Sequence, residues 1–131
     1  MAYSISQFVL RSPRHPAAGE AGFPVAVRRC APESPVAIAA DLLDLSRNGF
    51  RLRTVLPLEI GESLYLDIFE ERSSLTLALP AIVRWRLEEP DGRWLLGCQA
   101  KRELDWETLG ELFLNEVLLT DSGATDSSGA N

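Results

Sequence analysis

The residues Asp44-Leu45-Ser46-Arg47-Asn48-Gly49 join two apolar, β-branched runs, 36–43 and 50–56. A tight hairpin there would need only Asn48-Gly49, because that pair tolerates the positive φ angles of such turns. The remaining residues add chemistry. Asp44 offers a carboxylate that accepts two parallel donors, and Ser46 a hydroxyl that both donates and accepts. Gly49 has no side chain to hold backbone or ligand away. Asp and Ser also commonly hydrogen-bond their own turn, which accounts for both residues without a ligand. A second polar group lies upstream, where Arg11, Arg14 and His15 open a stretch containing Pro13, Pro16, Gly19 and Gly22. Arginine pairs bidentately with the O6 and N7 edge of guanine and stacks on its face. A carboxylate complements the N1–H and N2–H donors of guanine's other edge, and a hydroxyl with exposed backbone N–H groups suits phosphate oxygens. Arg11, Arg14, Asp44, Ser46 and Gly49 together match a guanine nucleotide.

Other chemistries lack their residues. A Ser–His–Asp triad would require His15, the single histidine, to reach Ser46 and Asp44, and no nucleophile elbow is present. His15 is expected to be an exposed loop residue. Neither a phosphate-cradling P-loop nor a dinucleotide fingerprint occurs. Cys30 and Cys98 are too few and too far apart for a zinc site, and both are expected to be reduced thiols. The expectation is therefore no catalytic residue, no metal and no cofactor. A formal net charge of −6 argues against DNA or RNA as partner. No apolar run is long enough to span a bilayer and the start of the chain has no signal-peptide pattern, so a cytoplasmic protein without membrane insertion is expected. Lys101 is the only lysine; the other basic residues are arginines, which present planar forks for pairing and stacking.

The elements that must position these groups follow from periodicity. The 131 residues suffice for one domain. Residues 1–10 form a leader and 11–22 an arginine-bearing loop. Strands are expected at 23–30, 36–43, 50–54, 63–69, 75–87 and 94–100, with Pro80 marking a bulge or edge. Leu64, Leu66 and Ile68 share one face, opposite Tyr65, Asp67 and Phe69; Val83, Trp85 and Leu87 stand opposite Ile82, Arg84 and Arg86. Asp105 then caps an amphipathic helix of about four turns, with Leu109, Leu112, Phe113 and Val117 at helical spacing. Residues 120–131 read as a disordered tail. The fold class is mainly β: a small antiparallel six-stranded barrel with one C-terminal helix, occupying 23–119.

In this order the parts resemble the PilZ domain. The family's D/N-x-S-x-x-G motif is intact as Asp44-Leu45-Ser46-Arg47-Asn48-Gly49. The strands Pro24-Val25-Ala26-Val27, Ala81-Ile82-Val83-Arg84-Trp85 and Leu96-Gly97-Cys98-Gln99-Ala100 are similar to family strands. The resemblance implies a receptor for cyclic di-GMP, with Arg11 and Arg14 gripping guanine, Asp44 reading its far edge, and Ser46 and Gly49 supporting phosphate and turn. It also implies that ligand orders the arm over the barrel, changing what a downstream protein partner meets. One departure stands out: the family's R-x-x-x-R is here R-x-x-R, with His15 in the place of the second arginine. Family members with altered arginine motifs include protein-interaction adaptors that bind no nucleotide, which is the alternative reading.

Overall fold

The computed structural model describes residues 13–30 and 37–119, so Arg11, the 1–10 leader and the 120–131 tail lie outside the described residues. The elements are β1 (His15–Pro16), β2 (Phe23–Arg29), β3 (Ile38–Leu45), β4 (Gly49–Thr54), β5 (Ser63–Glu70), β6 (Leu75–Glu88), β7 (Trp94–Ala100) and α1 (Trp106–Leu114). Strands β3-β2-β5-β6-β7-β4 are neighbours in that order, and β4 pairs back onto β3 to close the ring. All ladders are antiparallel. This is the expected six-stranded barrel, with β1 added outside it along β3. Closure leaves no long row of unpaired backbone groups on the six strands.

Alternation explains the inside. Leu64, Leu66 and Ile68 are fully buried while Tyr65 and Phe69 are exposed, as a period of two requires. On β4, Phe50, Leu52 and Thr54 face inward and Arg51 and Arg53 outward. Leu58, from the β4–β5 loop, is also fully buried and joins the core. Pro80 sits where β6 pairs with β5 but the ladder to β7, which begins at Ala81, has not started. Its missing N–H therefore breaks nothing on that side.

Two irregularities change which face a residue occupies. On β3 the register shifts between Leu42 and Asp44, making Leu43 an extra residue. Leu42 pairs with buried Leu52, but Asp44 pairs with outward Arg51, and Leu45 with buried Phe50. Were Leu43 an ordinary paired residue and not a bulge, Asp44 would share the inward parity of Leu42. On β6 the shift falls between Val83 and Trp85, so Val83 packs inside opposite Cys98 while Trp85 turns outward opposite Gly97. The expectation that Val83, Trp85 and Leu87 share a face is thus corrected: Arg84 is the extra residue, and Trp85 and Leu87 are exposed.

The helix begins as expected, with the Asp105 carboxylate accepting from the Thr108 N–H at 2.7 Å. That hydrogen bond leads the causes holding the Asp105 carboxyl below its ordinary pKa. It ends sooner than four turns. Asn115 caps it after nine helical residues, and Glu116 takes a left-handed φ of 61°. The Val117 and Leu118 N–H groups both turn back to the Leu112 carbonyl, which closes the helix and redirects the chain. Val117, expected on the helix, is buried just beyond it.

Candidate functional site

Asp44 is the centre of a three-residue cluster. Arg14 Nη1 donates to Asp44 Oδ1 at 2.9 Å, and Arg51 Nε donates to Oδ2 at 2.8 Å. Arg51 Nη2 reaches the same Oδ2. The Asp44 side chain is only 10% exposed, whereas those of Arg14 and Arg51 are 47% and 40% exposed. Two guanidinium groups on one carboxylate leave a surplus positive charge at the surface of an otherwise acidic chain. The bulge at Leu43 places Asp44 in this position; its direct partner across the β3–β4 ladder is Arg51.

The turn after Asp44 is self-contained. The Ser46 N–H donates to the Gly49 carbonyl at 2.8 Å, and the Asn48 N–H donates to Ser46 Oγ at 3.2 Å. Ser46 Oγ also lies 3.4 Å from the Gly49 carbonyl oxygen, to which it donates. Ser46 is buried. Gly49 keeps a negative φ, so the expected positive-φ hairpin is not what requires glycine here. It is required by space, because its backbone lies against Cys98 and Gln99 of β7. Arg47 ties the turn to the helix: its Nε donates to the Leu104 carbonyl at 2.7 Å, and its guanidinium lies 4.0 Å from the centre of the Trp106 ring. The Leu104 N–H answers by donating to the Arg47 carbonyl at 2.8 Å.

The arm reaches the site through β1. His15 pairs with Leu45 and Pro16 with Asp44, which sets Arg14, one residue earlier, beside the Asp44 carboxylate. The Ala17 N–H donates to the carbonyl of the bulged residue Leu43 at 2.9 Å, and the Ala18 N–H to Val117 at 2.9 Å. The Leu119 N–H donates to Pro16 at 2.8 Å. The segment is clasped between β3 and the chain leaving α1. His15 is not an exposed loop residue: its ring meets Phe113 edge to face at 4.9 Å, and its Nδ1 is buried without a hydrogen-bond partner. The residue that occupies the place of the family's second arginine packs its ring against the helix.

Of the residues singled out in the sequence, the structure brings Arg14 and Asp44 together, while Ser46 and Gly49 stand next to them as turn residues. Arg51 and Trp85 were missed in the sequence. Across β3, β4, β7 and β6 the outward positions Asp44, Arg51, Gly97 and Trp85 form one row. A β-carbon at Gly97 would collide with Cε2 and Nε1 of Trp85, so the indole lies directly on the Gly97 backbone with the residue 40% exposed. The signal available was the alternation of Arg51 with Phe50 and Leu52; the row itself follows only from register. Next to this row, Arg53 Nε donates to Glu89 at 2.7 Å, a hydrogen bond that leads the causes holding the Glu89 carboxyl below its usual range. Among the described residues no group of three or more His, Cys, Asp or Glu is placed to hold a metal ion, and no helix is long and apolar enough to cross a membrane.

A closed antiparallel barrel capped by one helix, with an Arg–Asp–Arg cluster on its outer wall, defines a small β-barrel module. The PilZ domain model matches residues 10–114, and the chain belongs to that family. No curated protein matches it. Among solved structures it is similar to the PilZ domain with c-di-GMP of YcgR from Escherichia coli, at 12% identity and TM-score 0.58, covering 92% of this chain and 98% of that one. It is also similar to the MrkH–c-di-GMP complex of K. pneumonia, at 16% identity and TM-score 0.59, covering 90% of this chain and 52% of that one. The inhibitor of motility MotI/DgrA of Bacillus subtilis matches at 17% identity and TM-score 0.56, covering 80% of this chain. The chain spans about half the length of MotI/DgrA and of MrkH (48% and 52%).

Proposed function

We propose that this chain is a cyclic di-GMP receptor and that Asp44 and Arg14 form the heart of its site. The observation that carries the reading is the contact between Arg14 and Asp44, which puts an arm arginine and the motif carboxylate on one surface. Asp44 reads the N1–H and N2–H edge of guanine, and Arg14 takes its other edge or face. Ser46 and Gly49 hold the turn that presents Asp44. The similar YcgR PilZ domain and MrkH are both complexes with c-di-GMP, which supports this ligand for a PilZ member.

Binding draws the arm over the barrel wall, and a protein partner reads the change. Residues 15–18 already hydrogen-bond to β3 and to the segment after α1, so we place the reordering at Arg14, ahead of them. Calorimetric titration with cyclic di-GMP tests the reading. A saturable signal weakened by Arg14→Ala and by Asp44→Ala is expected, with GTP competing poorly. No heat from folded protein at high micromolar ligand would overturn it.

One observation favours a second reading. The Arg14 fork is already engaged by Asp44, and the arm's arginine interval is one residue short of the family pattern. Under that reading the chain is an adaptor that binds protein and no nucleotide, and the Arg14–Asp44 pair closes the surface. The same titration separates the two.

A further inference from the structure

We infer that Arg51 is a direct ligand-binding residue, holding a phosphate oxygen of the nucleotide from the barrel wall. The inference rests on the receptor reading and adds to it a group that the sequence motifs do not contain. A carboxylate that needed only a structural clamp would be satisfied by one bidentate arginine. Here each oxygen has its own arginine, Oδ1 from Arg14 and Oδ2 from Arg51. Arg51 uses Nε and Nη2 on Asp44, and its Nη1 has no hydrogen-bond partner among the described residues. Both guanidinium groups are well exposed although the carboxylate between them is not. With Arg14 given to guanine, the second exposed cation at this carboxylate, Arg51, is left for a compact anion.

Position supports the same assignment. Arg51 lies within β4, paired with Asp44 on one side and Gly97 on the other, so its place does not depend on the arm. Gly97 offers no side chain, and the Trp85 indole lies over it. The surface beyond Arg51 is therefore flat backbone and ring, open to a planar group attached to the phosphate that Arg51 holds. On this assignment the strand arginine does the work that the shortened arm spacing takes from the leader.

The test is a double-mutant titration with cyclic di-GMP: wild type, Arg51→Ala, Asp44→Asn and the pair, with ligand raised until the weakest variant saturates. Arg51→Ala is expected to weaken binding about tenfold or more. A comparable loss is expected in the Asp44→Asn background, and it should shrink at high salt because an exposed charge is screened. Thermal unfolding of each variant confirms folding, and Arg51→Gln repeats the test if the alanine variant is unfolded. A loss under about twofold, or one that vanishes once Asp44 is Asn, would make Arg51 only a support for Asp44. In that event wild-type binding still stands, and so does the receptor reading. No binding by wild type would overturn both.

Discussion

A β-carbon added at Gly49 would stand 2.3 Å from the Cys98 carbonyl oxygen, a backbone atom that cannot swing aside. Gly49→Ala is therefore expected to destabilise the fold by about 1–3 kcal/mol through overpacking of β4 against β7, read from the midpoint of urea unfolding. Cys98 is buried, and desolvation pushes its thiol up to about 12, whereas Cys30 is exposed. Labelling of the native protein with a thiol reagent should modify Cys30 within minutes and leave Cys98 unreacted until denaturant is added. Labelling of both at one rate would show that the β7 face opens far more easily than its burial implies. At this scale the motif residues were legible by type, but their roles were not equally so. Asp44 faces the arm as its chemistry suggested; Ser46 secures the turn from a buried position, which is the local role that Ser commonly takes.

At the scale of elements, the bulge that sets Leu43 aside lets Asp44 point outward although it stands two residues after inward Leu42. Deleting Leu43 should make β3 regular with Asp44 still opposite Arg51, because Leu42, Asp44 and Leu45 would then alternate in step with Leu52, Arg51 and Phe50. The expected result is a folded barrel that loses about 1 kcal/mol with the Leu43 carbonyl that accepts from the Ala17 N–H, measured by thermal unfolding; a loss of several kcal/mol would mean that the bulge itself holds β3 in place. Glu62 gives a prediction in pH. Its carboxylate accepts from Arg29 Nη2 at 2.8 Å and from Arg29 Nε, and this pairing holds its pKa below the ordinary 4.5. A lowered folded-state pKa contributes stability that is full above the ordinary value and lost as pH falls through the folded one. Glu62→Gln should thus cost about 1 kcal/mol at neutral pH, and the gap to wild type should close on acidification. A gap that persists in acid would assign the effect to packing. Strand existence was legible from alternation in β4 and β5. The bulges were not, because Leu43 and Arg84 are ordinary strand residues and an insertion shows only in the partner's register. The helix was read too long for a related reason: Val117 keeps helical spacing, while the stop is set by Asn115 and a left-handed Glu116.

For the whole molecule, the arm, β3 and the exit from α1 form one clasp. Leu118 is buried, bridges to Ala17, and shares the turn that returns to Leu112. Leu118→Ala should cost about 2–5 kcal/mol and free the arm's docking strand, so any affinity that depends on Arg14 should fall with it. Unfolding and ligand titration on the same variant check both; unchanged stability would mean the clasp is not part of the core. Nothing in the sequence announced this junction. Ala17 and Leu118 are far apart in the chain, and a two-residue strand holding Pro16 lies below what periodicity can detect. Barrel closure has a further consequence for the row from Asp44 to Trp85. Its members stand on successive strands whose separation is fixed by backbone pairing at about 4.8 Å per step, so the row spans about 14 Å along the curved wall. A ring sealed on both sides can neither stretch nor slip without tearing two ladders at once. The wall is thus a ruler with set graduations, and any molecule laid along it would meet contact points at fixed intervals.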